Sequence, residues 1–321
     1  MRALQVIKLT GPDGVRLTEV PEPAVGGGLL VEVHAVGVNY PDLLRSQGLY
    51  QEKRDPPYIL GDEVAGVVLE APAGSAFAPG ERVAGWARGA AADRVAGSAE
   101  TFVRLPASFD FEAGAALMLN YETAIFALGI RGRISPGDVV LVHGAAGGTG
   151  TAALQVAKAL GGRTIAVVSS DVKEAVARRA GADEVVRSDG PWKDDAVRLT
   201  AGRGVNIVFD PVGGDRMLDT IRVLATGGRW LVIGFVGGAI PQIPANRLLL
   251  KNIDVVGSYF GGFLETQPGG RQLIDRRLAE LLDGGHIRPI VGPVHELADG
   301  AEALRDLAER RAIGKVVIKV R

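Results

Sequence analysis

The chain has 321 residues, 47% of them apolar and 23% charged, with 36 Lys and Arg against 37 Asp and Glu for a net charge of −1. That length suggests two domains or one large one, and the charge balance argues against nucleic acid as the main partner. The absence of cysteine excludes disulfides, a thiolate nucleophile, iron–sulfur clusters and any cysteine-based zinc site.

Met1 to Lys8 is interrupted by Gln5 and Lys8 and reads as a short strand, not as the apolar core of a signal peptide. No apolar run approaches the ~18–20 residues that would span a bilayer, so a soluble cytoplasmic protein is expected. Residues 1–122 read as β-rich. Leu29–Val36, Val64–Leu69 and Arg82–Trp86 are strand-like, and turn chemistry such as Thr10-Gly11-Pro12-Asp13-Gly14 separates them.

From about residue 138 strands and helices alternate. Strands are expected at Val139–His143, Arg163–Val168, Val205–Phe209, Arg229–Ile233 and Ile253–Gly257, with helices over Ala152–Leu160 and Asp171–Ala180. This spacing indicates βαβ units and a doubly wound parallel sheet of the α/β class. Amphipathic helices at Arg271–Leu282 and Ala301–Arg310 precede a last strand at Lys315–Val320. The expected division is a β-rich domain over 1–122, a nucleotide-binding domain over 123–263, and a return of 264–321 to the first domain.

Glycine occurs 45 times, about twice the usual ~7%, and one cluster carries chemistry. Gly144, Ala145, Ala146, Gly147, Gly148, Thr149 and Gly150 lie between a strand and a helix. There a missing Cβ lets backbone N–H groups approach a pyrophosphate at the helix N-terminus. An NAD-preferring site places Asp or Glu at the end of the second strand. Here Ser169 and Ser170 stand there, with Asp171 slightly late and Lys173 in the next turn. Hydroxyls and an ammonium suit a 2′-phosphate, so NADPH is the expected cofactor.

The chain resembles the zinc-independent quinone oxidoreductases, the zeta-crystallin-like branch of the medium-chain dehydrogenase/reductase superfamily. The resemblance runs nearly end to end. It includes Gly37-Val38-Asn39-Tyr40-Pro41-Asp42, Arg45-Ser46-Gln47-Gly48-Leu49-Tyr50, Gly61-Asp62-Glu63-Val64-Ala65-Gly66, the Gly144–Gly150 turn, Asp210-Pro211-Val212-Gly213-Gly214 and Gly314-Lys315-Val316-Val317. It implies that the β-rich part is a GroES-like domain and that Asn39 and Tyr50 are active-site residues. It also implies that Thr123, Gly234, Phe235 and Lys315 lie near the cofactor, with Arg187 and Ser188 near its 2′-phosphate. Resembling proteins are commonly homodimers paired through the sheet edge, here Ile253 to Tyr259.

In the zinc alcohol dehydrogenases of that superfamily a Cys, a His and usually a second Cys hold catalytic zinc. The matching positions here are Asn39, Asp62 and Leu119, and His34, His143, His286 and His295 lack ligand spacing. No metal is therefore expected. Without one, the acceptor must carry its own electron demand. The expected function is hydride transfer from NADPH to a small-molecule quinone. The alternative is an alkenal/enone or enoyl-thioester reductase, in which a placed acid such as Tyr50 protonates the enolate carbon.

Overall fold

The run Val139–Val142 is apolar throughout because it lies between two other strands with both faces covered, as parallel strands require. It sits inside a six-stranded parallel sheet ordered Glu184–Arg187, Arg163–Val168, Val139–Val142, Val205–Asp210, Leu224–Val232, Asp254–Gly257. The chain builds outward on one side of Val139–Val142 for two strands and then returns to its other side at Val205. The loops after Val142 and Asp210 therefore leave the sheet in diverging directions, which opens the crevice where doubly wound sheets bind ligands. Leu141, Ile165, Val167, Val208, Ile221 and Trp230 form the core of this unit. The Gly148–Ala159 helix covers the sheet with Ala152, Ala153, Leu154, Val156 and Ala157. The next helix, Asp171–Arg179, is bounded by sequence: the Ser170 hydroxyl caps it, Asp171 and Glu174 lie in its first turn, and Arg178 and Arg179 in its last.

The structure is a computed structural model that describes all 321 residues. Its second unit combines Met1–Leu119 with Pro289–Arg321. There Leu29–Val38 pairs antiparallel with Glu63–Glu70 on one side and Lys315–Lys319 on the other, so both chain ends share a sheet. Val291–Glu296, Arg82–Trp86 and Phe102–Arg104 extend that sheet, Arg94–Gly97 also pairs with Leu29–Val38, and Arg2–Val6 lies in a smaller sheet between Val15–Glu19 and Tyr58–Ile59. Leu4, Val31, Val33, Val36, Val64, Val68, Leu304 and Ile318 interdigitate as its core.

The unit boundaries differ from those expected. The nucleotide unit runs over Asn120–Arg288, so its start moves from 123 to 120 and the return begins at 289, not 264. The helix Gly270–Asp283 accounts for the second difference. It buries Ile274, Leu278 and Leu281, and its Arg271 guanidinium lies 2.6 Å from the carboxylate of fully buried Glu122. A buried carboxylate needs that counter-charge, which ties the helix to the nucleotide unit.

Candidate active site

The glycine turn is built by backbone demands. Gly144 adopts φ +58°, a left-handed conformation that glycine enters without strain. Gly150 is glycine for a different reason: a Cβ there would stand 2.2 Å from the Gly144 carbonyl oxygen. Ala145 and Ala146 are buried, and the Gly147 N–H closes the turn on Gly144 at 3.0 Å. The N–H groups of Gly148, Thr149 and Gly150 begin a twelve-residue helix and have no intrahelical acceptor. Next to Gly147 a Cβ would meet nothing closer than 3.4 Å, so the space beside those donors is open. Backbone donors, the positive helix end and an unfilled cradle fit the pyrophosphate of a dinucleotide.

At the end of the second strand the structure brings Ser169, Ser170, Lys173, Arg187 and Ser188 together. Lys173 Nζ donates to Ser169 Oγ at 3.2 Å, and Arg187 donates to the Ser169 carbonyl at 3.1 Å. The Ser188 N–H donates to the Val168 carbonyl, while Arg187 also pairs with Asp171 at 2.5 Å and Asp189 at 3.3 Å. Two cations and three serines thus share a surface with two carboxylates. Gly234 and Phe235 lie in the loop after Leu224–Val232, which zips onto the loop after Asp210 through Val236 N–H to Pro211 O and Gly237 N–H to Val212 O. Beneath them buried Asp210 accepts the N–H groups of Val212 and Gly213 and the Trp230 indole. His143, fully buried against Trp192 and 3.1 Å from the Thr220 hydroxyl, is held by burial at about 4 and is neutral. Thr123 is half-buried, three residues beyond Asn120 in one helix.

In the other unit Asn39 stands at the N-cap of Tyr40–Ser46, yet its side chain does not cap. Asp42 supplies the reciprocal bond of a capping box, accepting the Asn39 N–H at 2.8 Å. The Asn39 carboxamide turns inward instead. Its Nδ2 donates to Gly37 O at 3.2 Å and Glu63 Oε2 at 3.1 Å, and its Oδ1 accepts Lys315 Nζ at 2.5 Å. Both amide hydrogens are used, so Asn39 retains only acceptor capacity on Oδ1. Lys315, expected beside the cofactor, is 3% exposed and pairs with fully buried Glu63. It is a counter-ion that fixes Asn39, because an ammonium buried this deeply requires a carboxylate. Register explains the meeting: Val316 pairs with Val38, which sets Lys315 beside Asn39.

Asp62 is bound by Arg54 at 2.8 Å through both oxygens and by Arg45 at 2.9 Å. Asp42, with only a 3.5 Å contact to Arg45, is pushed by burial and then by Asp62 up to about 7. Tyr50 carries the Arg45 guanidinium over its ring at 4.6 Å and lines a cavity of about 120 Å³ with Leu9, Gly48, Lys53 and Arg54. Zinc does not fit the positions matching its ligands. Asn39 is committed to Lys315, Asp62 to two guanidiniums, and Leu119 has no ligating side-chain atom, its backbone N–H going to Glu63 at 3.1 Å.

Sequence reasoning missed Glu63, Arg45 and Arg54 as the groups that hold this site, and Asn120, which accepts the Thr149 hydroxyl. A glutamate preceding an apolar strand, in Asp62-Glu63-Val64, is the one signal that could have found Glu63.

Residues 26–116 match the family described as alcohol dehydrogenase GroES-like domain, and residues 148–276 that described as zinc-binding dehydrogenase. The chain is 37% identical over 308 residues to the quinone oxidoreductase-like protein 2 of Bos taurus, covering 94% of this chain and 87% of that one. A probable oxidoreductase from Mycobacterium abscessus superposes with a TM-score of 0.90 at 38% identity, over 100% of this chain and 99% of the other. The quinone oxidoreductase of Thermus thermophilus, solved also as its complex with NADPH, gives 0.84 at 34% identity with complete coverage of both chains. This chain belongs to the quinone oxidoreductase family of the medium-chain dehydrogenase/reductase superfamily.

Proposed function

We propose that the protein is an NADPH-dependent quinone oxidoreductase that works without a metal. The observation that carries this reading is the fate of the zinc-matching positions: Asp62 is neutralised by Arg45 and Arg54, and the Asn39 carboxamide is engaged by Lys315, Glu63 and Gly37. With no Lewis acid to polarise a simple ketone, the acceptor must already be electron-poor.

NADPH, when bound, supplies the hydride. The Gly148–Gly150 N–H groups hold its pyrophosphate and the space at Gly147 lets it approach. Ser169, Ser170 and Lys173 receive the 2′-phosphate. Arg187 joins them by exchanging Asp171, a carboxylate 95% exposed, for a phosphate. Tyr50 offers a phenolic hydrogen bond to the acceptor oxygen. The quinone gains one hydride and one proton, giving hydroquinone and NADP⁺. Water can supply that proton because both sites of charge are oxygen. An enone differs here, since its enolate carbon needs a placed acid.

The test is NADPH and NADH oxidation with 1,4-benzoquinone, 9,10-phenanthrenequinone, an alkenal and an enoyl-CoA, before and after dialysis against EDTA. Quinone turnover above the uncatalysed rate, undiminished by EDTA and with higher kcat/KM for NADPH, is expected. Tyr50→Phe should slow quinone reduction only partially. Turnover confined to the alkenal or enoyl-CoA and abolished by Tyr50→Phe would move the assignment to enone reduction, and restoration by zinc after EDTA would overturn the metal-free reading.

A further inference from the structure

At the head of the Gly148–Ala159 helix one side chain holds hydrogen-bonding capacity that the protein does not use. Asn120 is 4% exposed, and its Oδ1 accepts the Thr149 hydroxyl at 3.1 Å. Its Nδ2 has no acceptor in the protein and lies 2.6 Å from where a Cβ would stand on Gly148. The carboxamide is buried except at that nitrogen, which is not one of the fully enclosed unpaired polar atoms and so stays open to an acceptor from outside the protein. Beside it are the three unpaired N–H groups of the helix's first turn, so side-chain and backbone donors converge at the positive end of one helix.

We propose that Asn120 is a further dinucleotide-binding residue, whose Nδ2 donates to a pyrophosphate oxygen while the Thr149 hydroxyl fixes the orientation of its carboxamide. The inference rests on the dinucleotide reading above and adds a residue to it. Thr149 spends its only hydroxyl hydrogen on Asn120, so that hydroxyl is not the phosphate's donor. Its effect is to turn the amide edge of Asn120 toward the helix end and the oxygen edge away. Reversed, the carboxamide would present a lone pair to an anion. This geometry also accounts for Gly148, whose φ lies outside the left-handed region that would itself demand glycine. The glycine is required by the side chain beside it, because any Cβ would displace the Asn120 amide.

The experiment is calorimetric titration of the full-length protein with NADPH and NADH. Adenosine 2′-monophosphate, which lacks a pyrophosphate, serves as the control ligand. Asn120→Ala should raise the NADPH Kd about 10-fold, the loss of one charge-assisted hydrogen bond. Asn120→Asp keeps the acceptor for Thr149 but sets a carboxylate against the phosphate, and should raise Kd roughly 100-fold. Thr149→Val should fall between wild type and Asn120→Ala, and Thr149→Ser should restore wild-type binding. The control ligand should bind all variants alike. If wild type binds a dinucleotide and both Asn120 variants bind it within about 2-fold, the assignment of Asn120 is wrong while the cofactor reading stands. Equal losses for the dinucleotide and the control ligand would make Asn120 structural support and also overturn it. Should Asn120→Ala fail to fold, the Thr149 pair decides. A wild-type protein that binds neither dinucleotide would defeat the cofactor reading and this inference together.

Discussion

Lys315→Met removes the cation paired with Glu63, a carboxylate with no solvent exposure. What is left is an ionised group held by two neutral donors, the Asn39 amide and the Leu119 N–H, each at 3.1 Å. Methionine fills most of the lysine volume, so packing changes little and the cost is electrostatic. Breaking one side of a buried pair costs about 3–5 kcal/mol. Adding Glu63→Gln removes the stranded charge and keeps an acceptor for Leu119. The double variant should return to within about 1 kcal/mol of wild type, because a buried ion pair replaced as a whole is often neutral.

Equilibrium urea unfolding at about pH 8, followed by tryptophan fluorescence, reads these differences from the midpoint at constant slope. A Lys315→Met protein within about 1 kcal/mol of wild type would refute the argument. So would a double variant whose loss is the sum of the two singles, since charges in contact cannot behave independently.

Asp42 and His143 should shape the pH dependence of stability in opposite directions. A carboxyl raised to about 7 in the fold, against ~3.9 when unfolded, contributes stability that falls as pH rises from about 4 to about 7, by at most about 4 kcal/mol. His143, lowered to about 4 from ~6.5, contributes stability that is lost as pH falls through that same range. Asp42→Asn keeps the acceptor for the Asn39 N–H, so it should be more stable than wild type at about pH 8 and should expose the His143 slope below about pH 6. Urea midpoints that track wild type across this range would show that Asp42 is ionised in the fold. The glycine turn allows a paired test. A Cβ on Gly147 makes no contact under 3.4 Å, whereas one on Gly150 would sit 2.2 Å from a backbone oxygen. Gly147→Ala should therefore keep its Tm and lose NADPH affinity, while Gly150→Ala should also lose about 1–3 kcal/mol of stability; equal Tm values for the two variants would contradict this.

What could be read in advance follows from how far each requirement reaches along the chain. Gly144 and Gly150 answer a backbone demand that is met within seven residues, so residue type and spacing disclose it. The alternation of apolar runs with helical spacing disclosed the parallel sheet for the same reason. Residues 264–288 were misplaced because an amphipathic pattern shows that a helix has a buried face but not what covers it. The answer lay with Glu122, 149 positions from Arg271. Asn39 and Lys315 are 276 positions apart and meet only through the register of two strands from opposite chain ends. The missing cysteines carry the same distinction to the site itself. They stated which ligands the zinc-matching positions lack, and said nothing of what replaced them. Asp62 places a carboxylate at a position only 13% exposed, so folding there requires cations to match it. Arg45 and Arg54 supply two within 3 Å. Where a zinc ion would bring positive charge to its ligands, this chain brings guanidinium groups of its own, already paired. On the proposed metal-free reading, the acceptor must then supply its own electron demand.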